Sequence, residues 1–369
     1  MGNPSKVAAA LALVILGASA PLQAQRVAVA DLPVIKEMPD PLVMNDGTHV
    51  TTRDQWQKRR EEMKAILEEY EYGHMPPAPG NTVGKEISAK DLPQQNLHYR
   101  LVHLSFGPEQ KLGFDMAIFS PASSATTKPP LATILTLSFG NDERSANAFR
   151  PAFERGYAVA VIGYQQLGAD NRNDFAAWAW GLSRAVDFLV TDAATDKDRI
   201  IVTGTSRLGQ AALLAGAMDE RIGMVAPVAG GMALRFSGKD KPGGGQGIKE
   251  IVEQNTYWFG PRFEEFKDAP EKLPSDQNWL LALAAPRPFI LCNSLADQYG
   301  NTRAAVQTYL GAKPVYEFLG APNNLGLNFR PGGHGMQAAD WSAILDFADE
   351  KLRGMAAKRA FDQLPPKAE

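Results

Sequence analysis

The sequence predicts an α/β fold, with a mostly parallel central sheet and helices on both faces. Dense apolar runs recur between residues 131 and 294, each bounded by glycine or turn residues, as strands covered on both sides require. Segments with helical spacing alternate with them, the pattern of βαβ units. Composition agrees. The chain is 44% hydrophobic and 21% charged, enough apolar material for a large core and too ordinary a charge for disorder.

Taken in order, the elements read as follows. Residues 25–53 carry Pro33, Pro39 and Pro41 with little periodicity, and suit an extended leader lying on the domain. A helix is expected from Asp54, with Trp56, Met63, Ile66, Leu67 and Tyr70 near one face and Gly73 as its stop. Residues 97–106 and 112–121 alternate with period two, as a pair of strands should. Residues 131–140 and 157–164 are buried strands, 174–192 a helix, 199–204 a strand and 207–218 a helix. Residues 222–230 and 287–294 are further strands, and 341–352 a closing helix. The stretch Lys239 to Gly247 reads as a flexible insertion, too irregular for a phosphate loop.

Charge and cysteine content narrow the possibilities. With 38 Lys+Arg against 41 Asp+Glu the formal charge is -3, without the basic excess of a nucleic-acid-binding domain. The single cysteine, Cys292, allows no intrachain disulfide and no cysteine-rich zinc site, and its apolar strand marks it as a buried, inert thiol. Lys6 followed by the apolar run Val7 to Ala18 fits a secretory signal, with cleavage expected near Ala24. Residues 25–369 then form one catalytic domain with an N-terminal extension. The chain is expected in a periplasm or secreted, as a monomer, with no membrane span after cleavage.

The chemistry concentrates at Gly204-Thr205-Ser206-Arg207-Leu208-Gly209, between a predicted strand and a predicted helix. A sharp turn there lifts a serine hydroxyl above the sheet edge at a helix N-terminus, where backbone N–H groups can stabilise an oxyanion. A serine capping a helix is common, so the motif needs a base. Of His49, His74, His98, His103 and His334, only His334 follows the serine in the order nucleophile, acid, base that the α/β-hydrolase fold uses. It sits in a glycine-rich loop, RPGGHGMQ. Asp297, just after a buried strand, is the chosen acid; Glu253 ranks second, while Asp219 and Glu220 suit a helix end facing water.

These segments resemble the glucuronoyl esterases, carbohydrate esterase family 15. The likeness is carried by GTSRLG, AALLAGAMDERI, AWAWGLSRAVDFLVTD, ALAAPRPFIL, LADQYGN and GGHG, and spans about residues 54 to 353. It implies an α/β-hydrolase fold and hydrolysis of esters between glucuronic acid side groups of xylan and lignin alcohols, without a cofactor or metal. It assigns Ser206 as nucleophile, His334 as base and Arg207 as an aid to the oxyanion. Fungal members place a catalytic glutamate where this chain has Ala229, whereas Asp297 matches the acid of many bacterial members. Relatives commonly carry a sugar-binding lysine at Gln210 and a stacking tryptophan at Tyr299. Gln210, Tyr299 and Gln246 are therefore the expected substrate contacts, and Trp258 and Phe259 core residues. The altered pair keeps open a broader carboxylesterase or acetylxylan esterase. A non-catalytic carbohydrate-binding relative is a third reading, opposed by the intact serine, acid and histidine order.

Overall fold

The computed structural model describes residues 27–122, 129–168 and 173–365. The expected signal segment and its expected cleavage site lie outside them. Among the described residues the strands are β1 (Val83–Leu92), β2 (Leu97–Phe106), β3 (Leu112–Pro121), β4 (Leu131–Ser138), β5 (Ala158–Gly163), β6 (Thr195–Thr205), β7 (Met224–Val228), β8 (Phe289–Ser294) and β9 (Leu325–Arg330). The helices are α1 (Arg53–Leu67), α2 (Arg150–Glu154), α3 (Asp174–Leu189), α4 (Arg207–Met218), α5 (Ile248–Gln254), α6 (Asn278–Ala284), α7 (Thr302–Phe318) and α8 (Ala338–Arg353).

The strands form one sheet in the order β1-β2-β3-β5-β4-β6-β7-β8-β9. The pairs from β5 through β9 are parallel, and β1, β2, β3 and β5 pair antiparallel. Alternation along the central strands explains the apolar runs. Leu135, Leu137, Ala160 and Ile162 face one core, with residues of α1, α3, α4, α6 and α7; Ile134, Val159 and Val161 face the other, with α2 and α8. The result is a three-layer sandwich, as predicted.

Several boundaries move. Helix α1 is capped by Thr52, not begun at Asp54: its side chain accepts from the Gln55 N–H while the Gln55 side chain accepts from the Thr52 N–H. The helix then runs into a single π turn, Glu68–Tyr72, ending at Gly73. β1 escaped the sequence reading because it is an edge strand with almost no buried position; β9, α2, α5, α6 and α7 were also missed. The Lys239–Gly247 segment is tethered to the start of α7. Asn301 Nδ2 donates to the carbonyls of Pro242 and Gly244.

The leader does lie along the domain. The Ile35 N–H donates to the Glu271 carbonyl, and Arg235 Nη1 donates to the Ile35 carbonyl. Asn278 Nδ2 and Trp279 Nε1 both donate to the Pro39 carbonyl. No helix among the described residues is long and apolar enough to cross a membrane.

Candidate active site

Strand β6 runs straight into α4, and Ser206 occupies the single residue between them at φ 60°, ψ -131°. That backbone region disfavours a side chain, and such strain is tolerated where surroundings fix it. Here the Ser206 N–H is tied to the Val228 carbonyl of neighbouring β7 at 2.8 Å. Two glycines make the turn possible. A Cβ at Gly204 would come within 2.4 Å of the Leu208 carbonyl oxygen, and one at Gly209 within 2.8 Å of the carbonyl oxygens of Gly204 and Val228. The second glycine therefore falls at 209, where helix and sheet touch. The first N–H groups of α4, beginning with Arg207, have no partner within the helix and suit a developing oxyanion.

The loops after β8 and β9 bring acid and imidazole together. Asp297 Oδ2 lies 2.8 Å from His334 Nδ1, while its Oδ1 accepts the N–H groups of Tyr299 and Gly300 at 2.9 and 3.1 Å. Burial opposes ionisation of Asp297, but the His334 and backbone hydrogen bonds outweigh it and hold its pKa below the ordinary carboxylate value. An ionised carboxylate only accepts, so Nδ1 of His334 carries the hydrogen and Nε2 is left as a base. The GGHG loop is held from below by Arg330. Its Nη1 donates to the carbonyls of Pro331 and Gly333, its Nη2 to that of Gly335, and its Nε to Asp340 at 2.6 Å. Sequence reading missed this buried arginine.

Ser206, Arg207, Gln210, Gln246, Tyr299 and His334 line one pocket enclosing about 550 Å³ of space open to solvent, with Asp297 behind the imidazole. All the expected site residues are thus gathered at the carboxyl edge of the sheet. The Arg207 guanidinium lies 5.2 Å from the Phe139 ring centroid and 5.5 Å from that of Tyr164. Tyr299 packs edge-on to the His334 ring at 5.1 Å, with nearly half its surface exposed. Gln246 points its amide to Gln254 at 3.0 Å. The Gln210 amide nitrogen is directed inward to Tyr72 Oη and Gln277 Oε1.

Other expectations change. Glu253 is absent from the pocket and pairs with Lys267 at 3.0 Å on the surface. Asp219 is buried against Arg221 rather than facing water, while Glu220 is exposed beside Arg60. Trp258 and Phe259 pack in the core yet also line the pocket wall, with Phe175 and Met232. His74, His98 and His103 pair with carboxylates elsewhere. Cys292 is buried, and burial raises its thiol well above the ordinary range. Among the described residues no cluster of three or more histidine, cysteine or acidic side chains could hold a metal ion.

Sheet order, sharp serine turn and loop-borne imidazole–carboxylate pair define an α/β-hydrolase. Residues 122–320 match the family model described as glucuronyl esterase, fungi. The chain belongs to this glucuronoyl esterase family and is a carboxylic ester hydrolase. It is 30% identical to a 4-O-methyl-glucuronoyl methylesterase of Schizophyllum commune, over 84% of this chain and 79% of that one. Among solved structures, it resembles a carbohydrate esterase family 15 glucuronoyl esterase from Caldicellulosiruptor kristjansonii at 28% identity and a TM-score of 0.76, covering 92% and 97% of the two chains. A promiscuous esterase of the same family from a marine bacterial metagenome is 26% identical with a TM-score of 0.74, covering 88% and 98%.

Proposed function

We propose that the chain hydrolyses esters of glucuronic acid, or its 4-O-methyl ether, carried as side groups of xylan, including those linked to lignin alcohols. The observation that carries the reading is the Asp297–His334 hydrogen bond at the edge of a pocket that also holds Ser206 and Arg207. His334 Nε2 removes the proton from Ser206 Oγ as the oxygen attacks the ester carbonyl. The tetrahedral oxyanion is met by the first N–H groups of α4 and by the fixed charge of Arg207. Collapse breaks the bond to the alcohol, which leaves with the proton from His334. Water, deprotonated by the same nitrogen, attacks the acyl-enzyme and frees the uronate carboxyl and Ser206. Asp297 holds the tautomer throughout and stabilises the imidazolium. Tyr299 and Gln246 contact the sugar ring.

The named activity of the fungal relative supports the substrate class. Ser206→Ala should abolish turnover of methyl and benzyl glucuronate, and a fluorophosphonate should label Ser206 in the unaltered protein; an active variant would refute the assignment. A second reading, a broader carboxylesterase, draws on the inward-turned Gln210 amide and on the promiscuous relative. Rates on methyl glucuronate, methyl galacturonate and aryl acetates separate the two, since strong preference for acetates favours the broader enzyme. Residues 1–24 are proposed as a signal peptide that exports a monomeric catalytic domain to the periplasm or beyond.

A further inference from the structure

We infer that a buried relay from Gly231 through Gln210 and Gln277 to Glu71 locks Gln210 as a hydrogen-bond acceptor toward the pocket, so that the enzyme selects uronate rings presenting a free hydroxyl there. The inference rests on the proposed uronate-ester activity and deepens it.

The relay has a direction. The Gly231 N–H donates to Gln210 Oε1 at 3.1 Å. Gln210 Nε2 donates to Gln277 Oε1 at 2.5 Å and to Tyr72 Oη at 2.9 Å. Gln277 Nε2 donates in turn to Glu71 Oε2 at 3.0 Å, and Ser275 Oγ donates to Glu71 Oε1 at 2.5 Å. A backbone N–H at one end can only donate, and a carboxyl at the other keeps an accepting oxygen in either protonation state. Turning the Gln210 amide over would set N–H against N–H at Gly231, and turning that of Gln277 would set its N–H against the N–H of Gln210. Glu71, Tyr72 and Gln277 are fully buried, so no water relieves such a mismatch.

With both hydrogens of its amide nitrogen committed inward, Gln210 keeps one free lone pair on Oε1. The residue is half-buried and lines the pocket one helical turn from Ser206. What it can receive is an O–H. A methyl ether, an acyl group or a fluorine at that ring position brings no hydrogen, and leaves the oxygen desolvated without a partner. Glu71, Tyr72 and Gln277 are positioning residues in this account, since none lines the pocket. A lysine at 210 would reverse the polarity, offering donors only.

The test is a hydroxyl scan on the mature protein, using methyl glucuronate and derivatives in which one ring hydroxyl at a time is replaced by fluorine or methoxy. One ring position should lose at least about 10-fold in kcat/KM on either replacement, with the rate on an aryl acetate serving as the internal reference. Gln210→Lys should shrink the fluorine penalty at that position to under about 3-fold, because an ammonium donates to fluorine. Gln277→Leu, checked for folding by its thermal midpoint, should shrink it in part, because one Gln210 amide hydrogen loses its partner while Gly231 still holds the amide oxygen. A flat scan, or a penalty unchanged in Gln210→Lys, overturns the relay while leaving uronate esterase activity standing. No turnover of the parent methyl glucuronate, with aryl acetate still cleaved, overturns both.

Discussion

At Asp297 the carboxyl is almost wholly covered, and its two oxygens are divided between the imidazole and two backbone N–H groups. Replacing it by Asn keeps the shape but allows the amide to donate, which favours the wrong imidazole tautomer. Asp297→Asn should lower kcat on methyl glucuronate by about 10³-fold or more, with the thermal midpoint close to the parent. Unchanged kcat would move the acid elsewhere. Single residues of this kind were legible because few side chains suit the role and the fold fixes their order. Glu71, Gln277 and Arg330 were not. Glu71 and Gln277 meet across 206 positions of sequence, and nothing local marks a buried glutamate or glutamine as part of a site. Gln210 was found as a pocket residue, but the direction of its amide depends on partners that only the fold supplies.

The elements that carry the site were the easiest to read. Strand β6 and helix α4 appear in the sequence as an apolar run, a GTSRLG turn and a helical run, and α4 spans 207–218 as expected. In GTSRLG the second glycine comes one residue later than in the usual GxSxG turn. Its position is set by the crossing of α4 against β7, where Gly209 meets the Val228 carbonyl. Gly209→Ala should therefore cost about 2–3 kcal/mol in chemical denaturation and reduce kcat, because relief of the clash has to shift the turn bearing Ser206. An alanine variant of full stability and rate would show that the helix can slide freely. Elements without a strong hydrophobic signature were missed for a physical reason. β1 is paired on one edge and exposed along nearly all its length, so solvent imposes no alternation on it.

Across the whole molecule, the leader, the π turn after α1 and the loop before α6 are joined through buried polar groups. Asp276 accepts from the N–H of Leu234 and from Arg235, and Arg235 reaches the leader at Ile35. Glu71, beside Asp276, is pushed up to about 8, chiefly by burial. Its proton is thus held in the folded protein and released in the unfolded chain between the ordinary glutamate value and about pH 8. The folded state binds more protons in that window, so stability falls as pH rises through it, by at most about 1.4 kcal/mol per pH unit from this group. Glu71→Gln should flatten that slope between pH 5 and 8 in denaturant titrations. An identical slope in both proteins would remove Glu71 as its source. None of this long-range polar framework shows in composition, where the charged residues look like an ordinary surface.

The backbone at Ser206 has a consequence for durability. Its dihedral angles suit glycine, so Ser206→Gly should unfold at a higher temperature than Ser206→Ala, by the equivalent of about 1–3 kcal/mol. Equal melting points would mean the elbow is relaxed. The longest-lived version of this molecule would then be a silent one, and selection for heat resistance alone would tend to erase the very hydroxyl on which turnover depends.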